Sequence, residues 1–114
     1  MIEQDHTAQE IPIACNLTGA DLAERGNEVG NLFDETEQVR ELDDGYAFRL
    51  AGSDAMAARL LAFTLEERRC CPFFTFELAF EPNLGSIWVH LRGSAAVKEF
   101  VAAGGWGKII AAHP

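Results

Sequence analysis

The sequence predicts an α+β two-layer sandwich, an antiparallel sheet of about five strands with helices on one face, in the order β-α-β-β-α-β-β-α. Three observations lead there. Two pairs of alternating apolar segments are joined by short turn-forming runs, Asp43-Asp44-Gly45 and Pro82-Asn83-Leu84-Gly85, so each pair reads as a hairpin. The strands are apolar on one side, as in an antiparallel sheet covered on a single face. Between them, apolar residues recur at helical spacing.

The 114 residues form one expected domain, 1–114, long enough to bury a core and too short for two. No run approaches the roughly 20 apolar residues that span a bilayer. The start, Met1-Ile2-Glu3-Gln4-Asp5-His6, lacks the basic and apolar regions of a signal peptide, so the expected location is cytoplasmic. A formal charge of −9 argues against nucleic acid and anionic membranes, whose affinity comes from clustered Lys and Arg. The cysteine count of 3 is odd, so in a reducing compartment the cysteines read as thiols before they read as a disulfide framework.

Residues 1–10 are polar and aperiodic, a flexible lead-in. Residues 11–17 alternate as a strand with Ile11, Ile13, Cys15 and Leu17 on one face, which points Cys15 at the core. Thr18 to Asp21 resembles a capping box opening a helix to about residue 34. Its stripe is Leu22, Val29, Leu32 and Phe33, weakened by Gly26 and Gly30 one turn apart. A hairpin follows, 39–42 with 46–50, placing Tyr46, Phe48 and Leu50 inward.

Ser53 caps the long helix, predicted over 54–71. At about 100° per residue, Met56, Leu60, Phe63, Thr64, Glu67 and Cys71 share one sector, with Cys70 on its flank. Pro72 stops the helix. The next hairpin has a legible register: Phe80 faces Ile87, Leu78 faces Val89 and Phe76 faces Leu91 on the apolar side. Ala79 then faces Trp88, Glu77 faces His90 and Thr75 faces Arg92 on the other. A last helix over 95–103 ends at Gly104-Gly105, and 106–114 is a tail docking through Trp106, Ile109 and Ile110.

The segment Glu66-Glu67-Arg68-Arg69-Cys70-Cys71-Pro72-Phe73 concentrates the reactive groups. Thiolates bind soft ions such as Cu(I), Hg(II) or As(III), whereas structural zinc wants four ligands at spacings this chain lacks. Cys70 and Cys71 are the candidate ligands, Cys15 the third, and Glu67 and Arg68 tune the site. The plain alternative is that each cysteine is a small buried hydrophobe. A helix C-terminus disfavours a thiolate, so an activated nucleophile is not expected. Glu67 works at the site or pairs with an arginine such as Arg49. A second surface, Glu77, Trp88, His90 and Arg92 with Thr75, lies on the uncovered sheet face and suits a small-molecule site or a homodimer contact.

The run Glu67-Arg68-Arg69-Cys70-Cys71-Pro72-Phe73, the upstream residues 13–25 and the downstream Val97-Lys98-Glu99-Phe100 resemble a family of small uncharacterised bacterial proteins sharing an E-R-x-C-C-P-F motif. Members are associated with mercury and other heavy-metal resistance neighbourhoods. The resemblance covers nearly the whole domain and implies that Cys15, Cys70 and Cys71 are the functional thiols. The expectation is therefore a non-enzymatic protein that binds a thiophilic metal or metalloid ion (Hg, As or Cu(I)), with no further cofactor indicated. A dimerising module with buried structural cysteines and a thiol–disulfide redox protein stand as the alternatives.

Overall fold

In the computed structural model, which describes residues 19–114 and the side chains from residue 24 on, the chain runs α1 (Gly19–Phe33), β1 (Gln38–Leu42), β2 (Gly45–Leu50), α2 (Asp54–Cys70), β3 (Thr75–Phe80), β4 (Ile87–Arg92), α3 (Ala95–Ala103) and α4 (Gly107–Ala112). The fold is α+β, and among the described residues the sheet has four antiparallel strands in the order β1-β2-β4-β3. The strand predicted over 11–17, with Cys15 on it, and the capping box that begins at Thr18 lie outside the described residues.

The β3–β4 hairpin has the register read from the sequence, with Phe76 opposite Leu91, Leu78 opposite Val89 and Glu77 opposite His90. Strand β2 joins the other edge of β4, pairing Phe48 with Val89 and Leu50 with Ile87. These apolar side chains therefore share one face. They form a single buried cluster with Leu32 and Phe33 of α1, Met56, Leu60 and Phe63 of α2, Val97 and Val101 of α3, and Ile109 of α4. The helices cover that face because their apolar stripes have nowhere else to be buried.

Local chemistry sets the boundaries. Ser53 Oγ accepts from Met56 N at 3.0 Å and Ser94 Oγ from Val97 N at 3.2 Å, so both N-caps fall where serine was expected. Asp43 and Asp44 make the β1–β2 turn, and Gly45 follows because a Cβ there would stand 1.9 Å from the Leu91 carbonyl oxygen.

Two expectations need correction. Residues 106–114, read as a docking tail, do bury Trp106 and Ile109 but carry a helix, Gly107–Ala112, that was not expected. The spacing of Trp106, Ile109 and Ile110 is helical, and docking the indole among phenylalanines outweighs the two glycines before it. Cys70 does not sit on a flank. It closes the buried stripe Met56, Leu60, Phe63, Glu67, Cys70, whose members recur three or four residues apart and so share one helical face. Phe73 and Phe74 form this corner ahead of β3, both buried, with ring centroids 4.7 Å apart.

Candidate functional site

The last turn of α2 delivers three functional side chains to one place. Glu67 and Cys70 end the buried stripe, and Cys71 leaves the helix while its N–H still donates to the Glu67 carbonyl at 2.6 Å. Pro72 then turns the chain, and Phe74 N–H reaches back to Cys71 O at 3.4 Å. The two cysteines are held 3.8 Å apart, sulfur to sulfur, and both are buried. Cys70 is disulfide-bonded, whereas Cys71 is a free thiol, so the neighbours are not bonded to each other.

Glu67 is a buried carboxylate, an expensive group to desolvate without a partner. Its partner is Arg25 of α1, whose Nη2 donates to Glu67 Oε1 at 3.1 Å and to the Phe63 carbonyl at 3.2 Å. Arg25 Nη1 donates to Glu66 Oε1 at 2.7 Å and lies 3.8 Å from Glu28. One guanidinium thus ties α1 to the end of α2 while facing three carboxylates. Arg49, the partner suggested by sequence, lies near Glu37 instead, at 3.5 Å. Arg68 is exposed, and the cation acting on the cysteine is Arg25.

Burial pushes the Cys71 thiol up to about 12 from 9.0, with Glu67 adding to the shift both by its charge and by accepting the thiol's hydrogen bond; Arg25 opposes it. Cys71 at neutral pH is therefore a protonated thiol resting on a carboxylate, not an activated thiolate.

These groups open onto a cavity of about 170 Å³ between three helical segments. Arg25, Gly26, Val29, Gly30 and Phe33 form the α1 wall, and Glu67, Cys70 and Cys71 the α2 end. Phe100, Gly105, Trp106 and Ile109 complete it. The lining is mostly apolar, yet Arg25 Nε and Trp106 Nε1 are buried without a hydrogen-bond partner among the described residues. Among those residues, too, no group of three or more His, Cys, Asp or Glu is placed to hold a metal ion.

Sequence reasoning gave Arg25 no role, although its spacing to Leu22, Val29 and Leu32 puts a guanidinium on the apolar stripe of α1, which was the available signal. Trp106 was read only as a docking group. Cys15 lies outside the described residues.

The second predicted surface is on the opposite side of the sheet. Glu77 Oε1 accepts from Arg92 Nε at 2.8 Å and from His90 Nδ1 at 2.9 Å, and Arg92 Nη1 donates to Asp44 at 2.7 Å. The Arg92 hydrogen bond, then that of His90, holds the Glu77 carboxyl below its usual range. Thr75 is exposed at the end of this row. Trp88 is covered: the Arg40 guanidinium lies 4.4 Å from its ring centroid, and its Nε1 donates to Glu81 at 3.1 Å. This face is an ion network over a shielded indole.

No helix among the described residues is long and apolar enough to cross a membrane. No family model matches the chain, and no curated protein or solved structure is detectably similar to it.

Proposed function

We propose that this protein captures thiophilic metal or metalloid ions in the cytoplasm, through Cys71 together with Cys70 once the disulfide of Cys70 is reduced. The supporting observation is the placement of two sulfurs 3.8 Å apart at the edge of an apolar cavity that the buried carboxylate of Glu67 also lines. A thiol held at about 12 is a poor nucleophile at neutral pH. The features that raise it favour a soft cation instead. Such an ion displaces the thiol proton, gains the Glu67 charge, and loses little hydration on entering an apolar site. Hard ions, which keep their water, are disfavoured there.

Cys15, the third cysteine of the chain, stays a candidate ligand in this reading, and Cys70 is found in a disulfide. That disulfide favours a second reading, a thiol–disulfide redox protein in which the free Cys71 stands beside an existing bond. Equilibrium dialysis of the reduced protein against Hg(II) decides between them. Capture requires tight binding at one ion per chain, lost in Cys70→Ser/Cys71→Ser and unchanged in His90→Ala. Equal, weak binding by wild type and double variant refutes capture. A pair that cycles reversibly with glutathione and holds no ion establishes the redox reading.

A further inference from the structure

Building on that reading, we propose that the cavity beside Cys71 is shaped for an organic thiophile: a soft metal or metalloid centre bearing one aryl or alkyl group and one labile hydroxide. The metal centre bonds to Cys71 alone, and the organic group fills the space over Gly26 and Gly30.

Three independent features point to such a ligand. With Cys70 engaged in a disulfide, Cys71 is the one free thiol among the described cysteines. A site offering one sulfur matches a centre with one exchangeable position, not a bare ion that seeks two. The cavity, about 170 Å³ and mostly apolar, is far larger than a metal ion needs. It is close to the roughly 150 Å³ engineered apolar cavity that takes up benzene. Finally, Trp106 Nε1 is a buried N–H with no partner among the described residues, on a residue 6% exposed that lines the same cavity. Arg25 Nε is a second such donor. A hydrocarbon alone leaves both unsatisfied, whereas the hydroxide of the incoming centre, and the water it becomes on exchange, offers them an acceptor.

The glycines fit this use. Each weakens α1 in a way alanine would not. Among the described residues, a Cβ built on Gly26 or Gly30 meets nothing within 4 Å, so neither glycine makes room for another described element. Both line the cavity, and their missing side chains keep its wall open.

The reaction is a ligand exchange without oxidation or reduction. The Cys71 S–H bond and the bond from the metal centre to hydroxide break. A sulfur–metal bond forms, and the thiol proton leaves with the hydroxide as water. The neighbouring disulfide is unchanged.

The test uses the full-length protein without reductant, so that Cys70 stays bonded. Phenylmercury hydroxide and methylmercury hydroxide are each added at one equivalent. The adduct surviving gel filtration in chloride-containing buffer is then counted by intact-mass spectrometry. Because the ring buries several more apolar carbons than a methyl, phenylmercury should be retained at least about tenfold better. Gly30→Leu, which restores helix propensity while filling the cavity, should abolish that preference while the far-UV circular dichroism stays that of the folded chain. Cys71→Ser should retain neither. Equal retention of the two probes, or a preference surviving Gly30→Leu, overturns the proposal. Hg(II) capture by the reduced wild type is scored separately: capture without phenyl preference sinks this inference alone. Phenyl preference without Hg(II) capture upholds it and sinks paired capture.

Discussion

At the scale of single residues, the site rests on a buried ion pair next to a buried thiol. Arg25 and Glu67 lie almost wholly out of water, with side chains 12% and 6% exposed. Removing one member strands the other, so Arg25→Met should lower the unfolding free energy by about 3 kcal/mol in urea denaturation. The Cys71 thiol gives a second expectation. Its pKa rises from 9.0 unfolded to about 12 folded, so the folded chain holds this proton more tightly. Its contribution to stability is complete below pH 9, is lost progressively as the pH climbs, and is exhausted above about 12. The stability difference between wild type and Cys71→Ala should shrink across that window in denaturant titrations. Glu67 and Cys71 were legible as inward groups from the helical wheel alone. Arg25 was not weighed, because a lone arginine reads as solvated surface until a buried carboxylate on another helix supplies its counter-charge.

Elements were legible wherever local chemistry and packing agree. The β3–β4 register followed from pairing apolar with apolar across a four-residue loop, and both serine caps followed from side-chain oxygens seeking free N–H groups. What sequence did not reveal was the loop's backbone. Asn83 and Leu84 both adopt left-handed conformations, with φ of 61° and 57°. Asparagine tolerates this region, but leucine pays for it with no packing in return, being 92% exposed. Leu84→Asn should raise stability by about 0.5–1 kcal/mol, read as a higher denaturation midpoint at unchanged m-value. The final helix was missed because a six-residue segment after two glycines has little propensity of its own. Its order comes from Trp106 and Ile109 entering the core, a tertiary effect that local pattern does not carry.

For the whole molecule, one aromatic residue joins the layers. Phe33, fully buried at the end of α1, makes edge-to-face contacts with Phe48 of the sheet, Phe63 of α2 and Trp106 ahead of α4, at centroid distances of 5.2, 5.0 and 5.8 Å. Phe33→Ala should therefore cost about 3–5 kcal/mol, a large share of the stability of a chain this size, and should lower the thermal midpoint accordingly. The two-layer arrangement was readable from one-sided strands and amphipathic helices. The meeting of α1 with the end of α2 was not, since no periodicity encodes which helices become neighbours. The same layering separates the two tryptophans. Trp106 lines the cavity beside Cys71, while Trp88 is pinned under Arg40 on the far side of the sheet. A heavy atom arriving at the sulfur would quench the emission of the first indole and spare the second, so the chain carries both an optical gauge of occupancy and its own internal reference.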